Sequence, residues 1–476
     1  MQIKYIGGKA VRPEIREYNM DWMLSSIMMA ASKTADGSEK EYQRLLEYIP
    51  YFSGILNPIK KEGKPGITFL KMFSDYLENI VTARDKGKKV AMTTFCFSPS
   101  ILYSLGIVPV TLEVLSTFAA LMWKRGTADY LDFCTELGFT ETACSAQRGS
   151  LGAYLAGLGA HIDMVVCDTP GVCDTNANAF TFAASYLDKP YYQLNYPQTL
   201  TDDRTSTYHL EDYRGMIAFL EEHTGRKLDL DHLRGILEEI KIQDQLVADL
   251  DDMHRLIPTP LPVLYNLFIY AGRFMFAGYP QYTKLLKEMI EASTERAKAG
   301  ESGLRSGKEK LRAFMCYIDH YSMDLKFFDW MDRKGIAHLG GILSRTFRDN
   351  SSYLAQLPGS GYAIDTTSFE SLINSVAQMN ARMPMIRSIR GPYDRPGMAL
   401  DETLALLKMF NADCIIYNGT PGCRNTWGFL KPFTMELEKH GYPTHIMNTD
   451  AFDERVESWE ATVERLNEFF TIRGLL

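Results

Sequence analysis

The stretch KKVAMTTFCFSPSILYSLGIVPVTLE, residues 88–113, decides the fold class. KKVAMTTFCF is apolar enough for a buried strand. Ser98-Pro99 then starts a helix, because proline at the first helical position has no amide hydrogen to lose. The helix SPSILYSLG stops at Gly106, and IVPVTLE resumes as a strand. Strand, short helix and strand make the βαβ pattern of a parallel sheet. A second unit follows, with HIDMVVCD as strand, TNANAFTFAASYLD as helix and PYYQLNYP as extended chain.

Upstream, residues 1–84 read as helical, with apolar positions at helical spacing in YNMDWMLSSIMMAAS and GITFLKMFSDYLENIVTA and the loop KKEGKPG between them. The methionines at 20, 23, 28 and 29 are expected as core or subunit contact rather than a cofactor site. Downstream, residues 201–307 are helical and charged and close on the Gly/Ser/Lys loop KAGESGLRSGKEK. Then come LRAFMCYI (strand), DLKFFDWMDRKG (helix), ALDETLALLKMF (helix), ADCIIYNG (strand), FLKPFTMELEKHG (helix) and YPTHIMNTD (strand). The expected fold is α/β. Two parallel-sheet lobes of flavodoxin or Rossmann type span 85–200 and 308–476, a helical connecting segment spans 201–307, and a helical extension covers 1–84. In such sheets ligands collect beyond the C-terminal ends of the strands.

A net charge of −8 over 476 residues speaks against nucleic-acid binding, which needs a clustered basic surface. No membrane association is expected, since the apolar run Trp22–Ala31 is far too short to span a bilayer. The start of the chain lacks the basic-then-apolar order of an export signal, so a cytoplasmic protein is expected.

Eight cysteines in such a chain are better read as core thiols or soft-metal ligands than as disulfides. Cys96, Cys144, Cys167, Cys173 and Cys423 fall where strand-end loops can reach a crevice. Cys134, Cys316 and Cys414 fall inside a helix or strands, as small buried thiols do. No CxxC pair occurs, so spacing alone leaves a cluster and scattered core thiols both open. The chain has no GxGxxG, no GxxxxGK[ST], no HExxH and no GxSxG, which argues against nucleotide hydrolysis, a zinc protease site and a serine hydrolase.

Four segments bear a family resemblance: ETACSAQRGSLG, VVCDTPGVCDTNAN, YNGTPGCRNTWGF and the closing NTDAFDERVESWEATVERLNEFF. In this order, on matching element types, they resemble the 2-hydroxyacyl-CoA dehydratase / benzoyl-CoA reductase family over most of residues 85–476. The resemblance implies an iron–sulphur subunit of component D type, in which Cys144, Cys173 and Cys423 hold one [4Fe–4S] cluster with one iron left open. Cys96 and Cys167 have no counterpart as ligands; they are a fourth thiolate, pocket lining or plain core thiols.

SPSILYSLGIVPVTLE resembles the stretch whose glutamate faces the cluster, which makes Glu113 the implied catalytic residue, with a solvated strand-end glutamate as the plain alternative. Where dehydratases often carry a serine, this chain has Phe95 beside Thr93 and Thr94. The implied activity is an ATP-activated radical dehydration of a 2-hydroxyacyl-CoA through a ketyl radical. Within the family, an aromatic acyl-CoA reductase is the alternative, and a subunit that only relays electrons, or a scaffold with core thiols, is another. The implied partners are a related second subunit in a heterodimer or larger assembly, an iron–sulphur activator that alone uses ATP, and the CoA thioester. Arg382, Arg387, Arg390 and Arg395 are the densest basic stretch, read as a solvated loop or subunit contact, or as a site for CoA phosphates.

Overall fold

The computed structural model describes residues 4–6, 9–11, 20–114, 117, 127–155, 161–168, 173–196, 199, 202–316, 325–341, 344–346, 361–450 and 452–476, with backbone alone before Ser25 and at 51 and 205. The chain opens on an antiparallel pair, β1 (Lys4–Ile6) and β2 (Lys9–Val11), where sequence reading expected helix. Four helices follow: α1 (Met20–Gly37), α2 (Glu39–Tyr48), α3 (Ser53–Lys61) and α4 (Lys64–Val81). The methionine stripe is split: Met28 is buried, whereas Met29 is 53% exposed, and the side chains of Met20 and Met23 lie outside the described residues.

The first lobe runs β3 (Val90–Thr93), α5 (Ser100–Ser104), β4 (Val108–Thr111), α6 (Ala128–Glu136), α7 (Ser145–Ala153), β5 (Met164–Cys167), α8 (Asp174–Leu187) and β6 (Tyr191–Gln193). Pro99 stands at the N-cap of α5 rather than inside its first turn, and Cys96 lies in the turn after β3 rather than within it. The sheet order is β4-β3-β5-β6, all parallel. Every residue of β3, β4 and β5 is buried, as in a sheet covered on both faces.

Helices α9 (Asp203–Thr224), α10 (Leu230–Asp252), α11 (Tyr265–Phe276) and α12 (Pro280–Ala299) come next. The second lobe then runs β7 (Leu311–Cys316), α13 (Leu325–Lys334), β8 (Ile336–His338), α14 (Phe369–Ala381), α15 (Pro384–Asp394), α16 (Met398–Met409), β9 (Cys414–Asn418), α17 (Arg424–Lys439), β10 (Thr444–Met447) and α18 (Trp459–Ile472). Its order is β10-β9-β7-β8, again all parallel. Numbered within each lobe, both sheets read second, first, third, fourth. Each therefore has its topological switch between its first and third strands, where a parallel sheet opens a crevice. Among the described residues no helix is long and apolar enough to cross a membrane.

The N-terminal helices are built into this frame. Phe69 of α4 stacks on Phe268 of α11 with centroids 4.3 Å apart, and the Tyr76 hydroxyl accepts the Thr111 amide hydrogen at the end of β4, 3.0 Å away. Arg305 ties α3 to α13: it donates to Pro58 O (3.1 Å), Glu62 (3.3 Å) and Asp329 (2.7 Å), and its Nε lies 3.5 Å from Asp332. One guanidinium thus faces three acids. Burial, the larger effect, raises the pKa of Glu62 and of Asp332, the latter to about 7. The folded state therefore keeps protons that the unfolded chain has released. The stability gained this way is complete below about pH 4 and is lost as pH rises toward 7. Arg305→Met is predicted to cost on the order of 3 kcal/mol at pH 7.5, where Glu62 and Asp332 lose the cation that favours their ionised forms, and clearly less at pH 5, where protons are available to neutralise them. Urea unfolding of variant and wild type at the two pH values checks this; an equal loss at both would contradict it.

Candidate functional site

Three cysteines close the crevice between the lobes, and each stands at the N-cap of a helix: Cys144 before α7, Cys173 before α8 and Cys423 before α17. Local sequence explains the placement. α7 is rich in small residues because it presses on α6: a Cβ on Gly152 would lie 2.1 Å from the Tyr130 carbonyl oxygen. Arg148 donates through Nε to the Ala143 carbonyl at 3.1 Å and through Nη1 to Thr135 at 3.2 Å, which holds the loop ahead of Cys144. Ser145 donates to Asp450, whose Oδ1 also accepts the amides of Phe452 (2.9 Å) and Asp453 (3.1 Å), so the closing acidic turn braces the same helix start. Ala451 of that turn lies outside the described residues.

The other two cysteines occupy equivalent places in the two lobes. Cys173 follows β5 and Cys423 follows β9, the third strand of each sheet. Their sequences also match: Thr169-Pro170-Gly171-Val172-Cys173 and Thr420-Pro421-Gly422-Cys423. Residues 169–172 lie outside the described residues. The loops meet. A Cβ on Gly422 would lie 2.8 Å from both the Cys144 Cα and the Ala143 carbonyl oxygen, so this approach needs glycine. The residues after the two cysteines, Asp174 and Arg424, form an ion pair between the lobes.

Burial raises the pKa of all three thiols, that of Cys173 to about 12, and the thiols of Cys173 and Cys423 lie near enough to raise Cys144 further. Left to themselves they are neutral thiols; as thiolates they would need a group that replaces their protons. Among the described residues no three cysteine, histidine or carboxylate side chains gather as the ligands of one metal ion. A cube of iron and sulphide makes a different demand, because each thiolate binds a separate iron. Three thiols from three loops, each at the positive end of a helix dipole, fit an electron-rich cluster in donor type and in field.

Close to Cys173 lies a buried polar network. Glu113 is 6% exposed, so it is no solvated strand-end residue. Its Oε1 accepts from Thr94 Oγ1 and from Gln147 Nε2, each at 2.8 Å, and its Oε2 accepts the Phe95 amide at 3.3 Å. Asn176 Nδ2 donates to Thr94 Oγ1 at 3.1 Å. Burial raises the Glu113 pKa against the opposing pull of these hydrogen bonds. A second acid, Asp168 at the end of β5, is fully buried; Tyr196 donates to it at 2.6 Å and receives Asn380 Nδ2 at 2.6 Å. Burial holds its carboxyl far above the ordinary range. Around the crevice, Thr93 Oγ1, Gln147 Oε1, Asp168 Oδ1, Asn176 Oδ1, Asn418 Nδ2 and Thr420 Oγ1 are buried without a hydrogen-bond partner. That concentration of unmet polar atoms marks a space made for something polar.

The remaining cysteines sort differently. Cys134, Cys316 and Cys414 are buried within α6, β7 and β9. Cys167 is buried at the end of β5 with its sulfur 3.2 Å from the Tyr191 hydroxyl. Cys96 is buried close to Asp168, Glu113 and Cys173, each of which adds to burial in raising its pKa. The arginine-rich stretch is helix α15 and its flanks rather than a solvated loop. Arg387 is 1% exposed and forks onto Glu402, Arg382 donates to Gln378, Arg390 lies over the Tyr393 ring, and Arg395 pairs with Asp401.

Sequence reading passed over Gln147, Asn176, Asp168 and Asp450. A signal for the first two was present: each stands three residues after a proposed cysteine ligand, on the inner side of a helix start.

No curated protein gives a significant match to this chain. Residues 94–471 match the family described as 2-hydroxyglutaryl-CoA dehydratase, D-component, from the turn after β3 to the last helix. With parallel lobes meeting at Cys144, Cys173 and Cys423 and nearly the whole of both lobes inside the match, this chain belongs to the 2-hydroxyglutaryl-CoA dehydratase D-component family.

Proposed function

We propose that this chain is the cluster-bearing subunit of an ATP-activated radical 2-hydroxyacyl-CoA dehydratase. The observation that carries the reading is the convergence of three helix-capping thiols near a buried glutamate in a member of this family. The chemical difficulty is that the β-hydrogen of a 2-hydroxyacyl thioester is not acidic, so proton abstraction alone does not start the elimination. One electron added to the thioester carbonyl gives a ketyl radical, which expels the neighbouring hydroxyl as hydroxide; the radical that remains has an acidic β-hydrogen, and loss of that proton followed by return of the electron leaves the enoyl thioester and, overall, water. A [4Fe–4S] cluster on Cys144, Cys173 and Cys423 would supply that electron and a Lewis-acidic iron for the departing oxygen. The electron comes from an iron–sulphur activator that hydrolyses ATP, and a related second subunit completes the enzyme.

The chain's own residues do the rest. Glu113, kept from water and oriented by Thr94, Gln147 and the Phe95 amide, holds or moves a proton beside the reacting carbons. The helix starts of α7, α8 and α17 favour negative charge at the thiolates. A second reading, reduction of an aromatic acyl-CoA, draws on Phe95, whose ring packs edge-on against Tyr270 with centroids 5.9 Å apart where dehydratases often carry serine. Dehydration is preferred because buried polar atoms without partners surround the crevice, and a substrate hydroxyl can meet such atoms where an aromatic ring cannot.

Anaerobically purified wild type is expected to hold about four iron and four sulphide per chain. Cys144→Ser, Cys173→Ser and Cys423→Ser each lose most of it, whereas Cys134→Ser and Cys316→Ser keep it. Iron content unchanged in the first three would defeat the assignment. Glu113→Gln is expected to keep its iron and to lower kcat for a 2-hydroxyacyl-CoA at least about a hundredfold. Near-normal turnover by that variant would remove Glu113 from the chemistry.

A further inference from the structure

An apolar cavity of about 80 Å³ lies where the N-terminal helices pack on the first lobe and on α11. Helices α1, α3 and α4 contribute Met28, Ile59 and Phe73 to its wall, and α11 contributes Leu267, Ala271 and Phe274. Among the described residues no charged side chain lines it, and the hydroxyls of Thr117 and Tyr270 are the polar side-chain atoms on its wall. The Thr117 hydroxyl is already committed, donating to the Glu113 carbonyl at 3.2 Å. A buried water needs about two to four polar partners, and this wall does not offer them. The space suits an apolar visitor.

The cavity adjoins the proposed site by two routes. Val114, which lines it, directly follows Glu113 in the chain. Tyr270, which also lines it, packs edge-on against Phe95 with ring centroids 5.9 Å apart, and the Phe95 amide donates to Glu113 Oε2 at 3.3 Å. Much of the wall, however, comes from before residue 94, outside the stretch that matches the family. The proposed cluster ligands lie inside that stretch. What the family description says of the acyl group therefore does not decide what this cavity takes.

We propose that this cavity receives the tail of the acyl group, and that the substrate of this chain carries an apolar tail. The proposal rests on the dehydratase reading and deepens it. With the reacting carbons beside Glu113, the rest of the acyl chain has to lead away from the acid, and this is the apolar space next to it. The volume accommodates roughly three methyl-sized groups, each close to a water molecule in size. That matches the carbons beyond C-3 of a hexanoyl chain. A terminal carboxylate, as in a glutaryl group, would enter with neither water nor a cation on the described wall, which is strongly unfavourable. The N-terminal helices thus select the tail, while the lobes carry the chemistry.

The test is equilibrium binding to the complete cluster-loaded complex, with neither activator nor reductant present, so that nothing turns over. The probes are 2-hydroxyhexanoyl-CoA, 2-hydroxypropanoyl-CoA and 2-hydroxyglutaryl-CoA. Wild type is expected to bind the hexanoyl thioester at least about tenfold more tightly than either of the others, since each buried methylene is worth about fourfold. Ala271→Leu, which fills the cavity, brings hexanoyl affinity down to that for the propanoyl thioester, while propanoyl affinity and iron content stay as in wild type. A wild type that prefers the glutaryl or propanoyl thioester, or binds all three alike, overturns the proposal. So does a folded Ala271→Leu that keeps the wild-type preference. Should that variant not fold, Leu267→Ala, which enlarges the cavity, decides: 2-hydroxyoctanoyl-CoA gaining on the hexanoyl thioester supports the assignment, and an unchanged ratio overturns it. Failure of the underlying reading looks different, since wild type would then hold no iron or bind none of the thioesters, and the tail assignment would fall with it.

Discussion

A buried thiol keeps its proton, and here three of them are gathered at three helix starts. Desolvation makes each thiolate unfavourable, and mutual proximity makes the second and third worse. The helix dipoles run the other way and favour negative charge at the same points. A positively charged, sulphur-seeking group that took the place of the protons would resolve the conflict. Much of the local structure serves this meeting: glycine at 422, where any side chain would strike Cys144, the Asp174–Arg424 pair across the lobes, and the Asp450 turn that braces α7.

The duplicated topology explains why the meeting lies where it does. Both sheets reverse their strand order between the first and third strands, and in both the third strand is followed in sequence by Thr-Pro-Gly and a cysteine. Lobes set with these crevices facing each other bring two cysteines together, and α7 of the first lobe adds another. The helices before residue 94, outside the family match, contribute through Tyr76, which receives the Thr111 amide two residues before Glu113. A segment that carries none of the proposed chemistry thereby helps to set the height of the buried acid.

How much of this was legible in the sequence follows from what each feature depends on. The strands were readable because fully buried parallel strands are continuous apolar runs, as in VAMT, MVVC and CIIYN. The cysteines at 144, 173 and 423 were singled out by motif resemblance, since their spacing of tens to hundreds of residues has no local signature. Glu113 was legible as following the second strand, but its hydrogen bonds to Thr94 and Gln147 arise only once the chain has folded. The arginines at 382–395 misled because local charge density says nothing about Glu402, the partner that takes Arg387 out of solvent. The opening strands escaped because a three-residue pair in KYIGGKAV is shorter than any periodicity can reveal.

The central claim is that the sulfurs of Cys144, Cys173 and Cys423 hold one iron–sulphur cube between the lobes. The most direct measurement is an anomalous difference map at the iron absorption edge from crystals grown and frozen without oxygen. The account predicts one strong compact peak bounded by those three sulfurs, with Glu113 on its inner side. A map with no iron there, or with iron bound at other cysteines, would contradict it.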